Sequence, residues 1–221
     1  MRVRVGRGMI ALLPVLLLLC GGSAAGQEPR DDWKLEALST DLLRHLPHSL
    51  EGAPLTSQER EEIYRQIDAD LRASDLLAGQ PPEQERETVM GAAVGTVHLA
   101  EDGSEQVLVR APRAVCGNGG CPVWLFVSER GKLRAVLASG GGALIVRKTT
   151  SRGFHDVTTV WHMGGGEAGY NVYRWNGRKY EEIDCYRARG AGGGPPVITD
   201  CPKCDCGAPG WCGCAPPGNK P

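Results

Sequence analysis

Eight of the nine cysteines fall after residue 115, and their spacing sets the chemistry open to this chain. Cys116-Gly-Asn-Gly-Gly-Cys121 encloses a short glycine loop. Such a loop can bring two Cα atoms within the roughly 4.4–6.8 Å that a disulfide spans. Redox pairs instead have two intervening residues and a helix N-terminus that lowers one thiol pKa. A structural clamp is the expectation. The other thiols are Cys185 and a terminal group, Cys201-Pro-Lys-Cys204-Asp-Cys206 and Trp211-Cys212-Gly-Cys214. The terminal five could wrap a soft ion, Zn²⁺ or Cu⁺, with metal binding itself ordering the segment. Alternatively they form a disulfide knot with Cys185 as sixth partner. Six cysteines divide evenly into bridges, and Cys116, Cys121, Cys185 and Cys201 head the disulfide reading. Cross-links between chains are a third route. No cofactor is expected unless Zn or Cu binds at Cys204, Cys206, Cys212 and Cys214.

Other reactive side chains do not converge. His45 and His48 flank the end of a first helix, His98 stands alone, and His155 and His162 are spaced to face opposite sides of a strand. Ser139-Gly-Gly-Gly142 lacks the Gly-x-Ser-x-Gly elbow of hydrolases. Gly164-Gly-Gly-Glu-Ala-Gly169 is not a phosphate loop, since no Lys-Ser/Thr follows it. Nothing fixes a distance between Asp156 and Glu167. No catalytic residue is expected.

The N-terminus predicts an exported chain. Arg2, Arg4 and Arg7 precede the apolar run Met9–Leu19, and small residues follow from Gly21 to Gly26. At ~1.5 Å rise per residue that run covers roughly half of a ~30 Å bilayer core. A cleaved secretory signal over 1–25 fits it better than a membrane span. Ser23 and Ala25 form the small-x-small cleavage site, giving Gly26 or Gln27 as the new terminus. A lipoprotein acylated on Cys20 is the alternative, which Leu19 before it fits poorly. Removing Cys20 leaves an even set of cysteines, as a disulfide framework in a periplasmic or secreted protein needs.

Charge is segregated. Residues 27–90 carry 15 acidic and 7 basic side chains, whereas 91–190 carry 9 and 13. Opposite signs favour docking of the two segments, within a screening length of about 8–10 Å. The basic residues form no cluster of the kind nucleic acid requires.

Residues 26–90 read as helical. Leu35, Leu38, Leu42 and Leu46 make one apolar stripe ended by Pro47. Thr56-x-x-Glu59 is a capping box, after which Ile63, Ile67 and Leu71 line one face, and Leu76 and Leu77 finish before Gly79 and the Pro81-Pro82 stop. Two such helices predict a hairpin that must pack on something else. Residues 91–189 switch to strand periodicity, with strands expected near 92–99, 105–111, 122–128, 132–138, 143–149, 156–162, 169–175 and 179–186. Asn176-Gly177 between two aromatic runs is a hairpin signal. Residues 190–221 form a Gly/Pro/Cys-rich tail, with a flexible linker from Gly190 to Pro196.

The strand region also reads as a duplication. Asp102-Gly103, Val107-Leu108-Val109, Val123 to Phe126 and Gly131-Lys132-Leu133 correspond to Arg152-Gly153, Val157 to Val160, Val172 to Trp175 and Gly177 to Tyr180. A period near 50 suits a four-stranded unit. Gly153-x-x-Asp156 with its β-branched run, then Tyr173-x-Trp175-x-Gly177-x-x-Tyr180, is similar to the FG-GAP/VCBS blade pattern. Together with Cys116-Gly-x-x-Gly-Cys121-x-x-Trp124-x-Phe126, it also resembles a group of small exported bacterial proteins of unknown function. The resemblance covers about 92–187 and implies no catalytic residue. The calcium loop of many FG-GAP blades is missing, because Glu101-Asp102-Gly103 and Arg152-Gly153 supply too few oxygen ligands.

The expected fold is α+β: a helical hairpin on an antiparallel meander of about eight strands in two four-stranded repeats, with an irregular cysteine-rich tail. The expected function is a non-enzymatic binding or interaction module of the periplasm or cell envelope. Its partner is an unspecified protein or small ligand, and it meets a membrane only if Cys20 is lipidated. Trp124, Trp161, Tyr173, Trp175 and Tyr180 are candidates for the contact surface, or for plain core packing. Soft-metal binding by the tail is the second reading, and inhibition of an envelope hydrolase the third.

Overall fold

The computed structural model describes residue 43 and residues 46–191 and 194–200, with residues 191 and 194–200 described by backbone alone. The signal segment, Cys20, the stripe of Leu35, Leu38 and Leu42, His45, and the cysteines from Cys201 onward lie outside the described residues.

Thr56 opens the first helix as its capping box requires. Its Oγ1 accepts from Glu59 N–H at 3.2 Å, and Glu59 Oε2 accepts from Thr56 N–H at 2.8 Å. Helix α1 (Ser57–Ala73) buries Ile63, Ile67 and Leu71 at three- and four-residue steps. It stops short of Leu76 and Leu77, which follow in a turn where Asp75 takes φ 56°. Pro81-Pro82 does not end a helix but starts α2 (Pro82–Met90). Proline suits the first helical position because its missing N–H would have no intrahelical partner. The described helical neighbour of α1 is therefore α2, and the two are joined by the Arg72–Glu85 ion pair.

All eight expected strands form, within a few residues of their expected ends, but in two antiparallel sheets. The first contains β1 (His48–Ser49), β2 (Ala93–His98), β3 (Glu105–Arg110), β4 (Cys121–Glu129) and β5 (Lys132–Gly141), neighbours in that order. The second contains β6 (Ala143–Ser151), β7 (Phe154–Gly164), β8 (Glu167–Trp175), β9 (Tyr180–Ala191) and β10 (Gly194–Asp200), again paired in chain order. Strands β1 and β10 are additions to the sequence reading. Strand β10 replaces part of the expected linker, and Pro195 and Pro196 are tolerated there because β10 is an outermost strand.

The first sheet is covered on both faces. Trp124, Phe126, Val109, Val94 and Leu133 meet Ile63, Ile67, Leu71 and Val89 of the helices. Val123, Leu125, Val127, Leu108 and Val97 meet Leu144, Val157, Tyr173 and Trp175 of the second sheet. That explains the unbroken apolar run Val123 to Val127, since alternate side chains of β4 enter different cores. Burying side chains of this size is worth about 1.5–3 kcal/mol each.

The acidic helices dock through this core and through backbone contacts. Glu62 Oε2 accepts from Leu133 N–H at 2.8 Å, Gln66 bonds Leu133 and Ala135, and Asp70 Oδ2 accepts from the Trp124 indole at 2.8 Å. The ion pairs of Arg72 with Asp68 and Glu85, Arg86 with Glu61, Arg134 with Glu129 and Arg189 with Glu167 each lie within one charge segment, while Lys132 of the first sheet is among the charges that lower the pKa of Glu62 on α1.

Candidate functional site

The inner face of the second sheet changes character along its length. Val157, Trp175 and Tyr180 lie under the first sheet and are buried. On that same face, alternation along β7 and β8 next presents Thr159 and Trp161 beside Tyr173 and Asn171. Thr159 and Tyr173 remain buried, whereas Trp161 and Asn171 are half-buried. The face passes from hydrocarbon to hydroxyls, amide and indole where the cover of the first sheet runs out.

These groups form one hydrogen-bonded cluster. Ser139 Oγ of β5 lies 2.9 Å from the Tyr173 hydroxyl and 3.1 Å from Thr159 Oγ1. Asn171 Nδ2 donates to Tyr173 Oη at 3.5 Å and to Glu182 Oε2 at 3.4 Å, and its Oδ1 accepts from Trp161 Nε1 at 3.3 Å. Burial pushes the Tyr173 phenol above its usual pKa, more than the hydrogen bonds from Ser139 and Asn171 lower it. The hydroxyl is therefore protonated at neutral pH and can donate as well as accept.

Trp161 is positioned by a glycine. A Cβ built on Gly169, its cross-strand partner, would lie 2.2–2.6 Å from Cε2, Cζ2 and Nε1 of the indole. The ring consequently rests across bare backbone, with its N–H turned to Asn171. Three strands and the end of β5 thus hold an aromatic plate beside an amide, a carboxylate and three hydroxyls.

The disulfide loop stands at the same end of the sheets. Cys116 and Cys121 are bonded, with Cα atoms 4.2 Å apart, as the glycine loop predicts. Gly117 and Gly120 pair across it, and Gly119 C=O accepts from His162 N–H at 3.0 Å. Gly120 has φ 134°, and a Cβ there would lie 2.3 Å from the Gly141 carbonyl carbon, so only glycine allows the loop to close on the turn between β5 and β6.

The structure redistributes the other sequence candidates. Trp124, Tyr173, Trp175 and Tyr180 are between 1% and 8% exposed, which fits plain core packing, the second of the two roles the sequence left open for them. Alternation along β4, β8 and β9 turns them inward onto covered faces. Trp161 alone of the five keeps a half-open position. Tyr180 donates to His155 C=O at 2.8 Å and tilts against Trp175. Asp156 accepts from Thr149 at 2.9 Å and Glu167 pairs with Arg189, so the two carboxylates have separate partners. His98 is exposed near Glu105, and His155 Nδ1 lies 2.8 Å from Arg147 C=O. Among the described residues no group of His, Cys, Asp or Glu is arranged to hold a metal ion. Cys185 sits half-buried on β9 opposite Asn171. Cys201, Cys204, Cys206, Cys212 and Cys214 lie outside the described residues.

Sequence reasoning weighed Ser139 and Gly169 only within motifs it set aside, and gave no role to Thr159, Asn171 or Glu182. A usable signal was present: Thr159-x-Trp161 and Asn171-x-Tyr173 continue the inward-facing rows of Val157 and Trp175. Recognising it required knowing where the first sheet ends.

Compared with protein-family models, with curated proteins and with solved structures, the chain matches none.

Proposed function

We propose that this chain is an exported, non-enzymatic binding module of the periplasm or cell envelope. In this reading residues 1–25 are a cleaved secretory signal. The ligand is a small hydroxyl-rich molecule such as a saccharide, received at Trp161. The half-buried Trp161 indole, spread over Gly169 and fixed through Asn171, carries the reading. A flat aromatic ring suits the apolar face of a sugar ring. Amide, carboxylate and hydroxyl groups beside it suit the ring's hydroxyls, in the mixture typical of small-molecule sites. A Tyr173 phenol with a raised pKa favours hydrogen bonding over proton abstraction.

The same reading treats the two sheets as copies of one four-stranded unit, β2–β5 and β6–β9. Support comes from matching turns: Gly103 and Gly153 have φ 77° and 83°, and Gly131 and Gly177 have φ 76° and 98°. These positions carry the sequence duplication and the resemblance to repeat-built proteins.

Calorimetric titration of the mature protein with cellobiose, maltose and diacetylchitobiose tests the ligand class. Saturable binding that disappears in Trp161→Ala, with thermal unfolding unchanged, is expected. Binding to none of the three, or equal binding by Trp161→Ala, overturns it.

A further inference from the structure

We propose that the end of the molecule opposite Trp161 is a basic surface that docks on anionic phospholipid headgroups, independently of any acyl chain on Cys20. Three hairpin turns meet there: Arg130-Gly131 between β4 and β5, Arg152-Gly153 between β6 and β7, and Asn176 to Lys179 between β8 and β9. Strand β4 runs to this end from the disulfide loop, and β7 leaves it toward Trp161. The two ends of the sheets therefore carry different chemistry.

Side chains of the turns draw them together. The Arg152 guanidinium donates to Asn176 C=O and lies against Gly177, where a Cβ would be 2.9 Å from its Nη1. Glu129 accepts from Arg134 at 3.0 and 2.6 Å. That contact, followed by the charges of Arg134, Arg130 and Arg178, holds the Glu129 carboxyl below the ordinary carboxylate range, so Arg178 of one turn lies near Glu129 of another. Glu129 is committed to Arg134. The exposed Arg130, Arg178 and Lys179 form no ion pair among the described residues. Folding has gathered cations that are dispersed in the sequence. On one side the β2–β3 turn bounds them with Glu101 and Asp102, and Glu101 N–H donates to Gly153 C=O at 2.8 Å.

The turns themselves do not call for arginine. Arg130 and Arg152 take φ 53° and 52°, followed by Gly131 and Gly153 at 76° and 83°. Two-residue loops with positive φ at both positions favour Asn, Asp or Gly, and a long side chain there is strained. Arginine in that position twice sets a permanent cation at a turn tip, and its planar fork matches phosphate oxygens. The charges occupy separate turn tips rather than one strand or helix. That spread suits a field of headgroups better than the single track of a polymer. Among the described residues no exposed large apolar side chain lies on these turns, so the attachment is electrostatic and reversible. Docked this way, the protein holds Trp161 on the side away from the membrane.

Flotation of the mature protein with lipid vesicles tests the surface. Binding is expected to vesicles of phosphatidylcholine and phosphatidylglycerol in equal parts, not to phosphatidylcholine alone, and should weaken as salt rises. With Arg130→Gln, Arg178→Gln and Lys179→Gln combined, partitioning should fall on the order of a hundredfold, with thermal unfolding unchanged. Arg178→Gln alone should lose about fivefold. Failure to float with the anionic vesicles, equal binding to both kinds, or full binding by the triple variant overturns the proposal. Retention by soluble dextran sulfate without flotation would assign the surface to an anionic polymer and overturn it too. Saccharide titration reads the opposite end of the molecule, so its failure would leave this result standing.

Discussion

Gln66 holds Leu133 as a neighbouring strand would. Its Nε2 donates to Leu133 C=O at 2.9 Å, and its Oε1 accepts from Ala135 N–H at 2.8 Å. Glu62, one turn earlier, takes Leu133 N–H at 2.8 Å. Strand β5 is the last strand of its sheet, and two helix side chains satisfy its outward backbone groups there. Exposed edges recruit other chains, so this cover is also protection against aggregation.

Replacing Gln66 with Ala should uncover that edge. Two part-buried backbone groups lose their partners, at a cost of about 1–3 kcal/mol. Urea unfolding should show a lower midpoint, and size-exclusion chromatography should show concentration-dependent self-association that the parent lacks. An unchanged midpoint would mean water serves the edge equally well.

Glu62 gives the stability a pH dependence. The hydrogen bond from Gln58 and then that from Leu133 N–H hold its carboxyl below the ordinary carboxylate range, and the Arg134 contact does the same for Glu129. Stability from a depressed carboxyl is complete above the unfolded-state value and lost as pH falls through the folded one. Urea midpoints should hold between about pH 7 and about pH 5 and decline below that. In Glu62→Gln the decline should be shallower.

Asp70 and Trp124 form a second bridge between helix and sheet. Asp70→Ala leaves the indole N–H of a side chain only 1% exposed without its acceptor, which costs about 1–3 kcal/mol. Trp124→Phe in the Asp70→Ala background should lose less than the two single losses added together. A strictly additive cycle would show that the bond contributes nothing.

Gly169→Ala probes the placement of Trp161. The new methyl group needs the space of the indole, so the ring must swing away from Asn171. Tryptophan emission should shift to the red, and saccharide binding should fall with Trp161→Ala-like severity while the far-ultraviolet spectrum is kept. Binding at the parent level would separate the ring's position from recognition.

Reduction of Cys116–Cys121 should cost about 2 kcal/mol, the loop-closure value for so short a ring. Mild reductant should lower the thermal midpoint of the parent by more than that of a Cys116→Ser, Cys121→Ser variant, the difference being the share of this one bridge.

Much of the architecture was legible because the rules involved are local. The Thr56–Glu59 box, the Ile63-Ile67-Leu71 stripe and the Asn176-Gly177 hairpin depend on neighbours in sequence, and each formed as expected. Pro82 misled because proline reads identically after a helix and at its first position. The aromatics were left between two roles for another reason: whether Trp124 or Trp175 faces a core depends on a second layer that pairing within one sheet does not define. Cys116–Cys121 was readable from its own loop, whereas the Ser139–Tyr173–Asn171 cluster joins strands of both sheets, β5 and β8.

The order of the strands has a consequence for how the molecule comes into being. Each hydrogen-bonded strand pair joins strands consecutive in the chain, with α1 and α2 intervening between β1 and β2. Ladders built from sequence neighbours close small loops and so form early. Synthesised or threaded N-terminus first, the polypeptide has α1, α2 and the whole first sheet available once Gly141 has emerged. Its outer edge is then already capped by Glu62 and Gln66, and only the face with Val123 and Leu125 still awaits a cover. The second half arrives to a finished template, so the molecule can mature in one direction without its two sheets competing for partners.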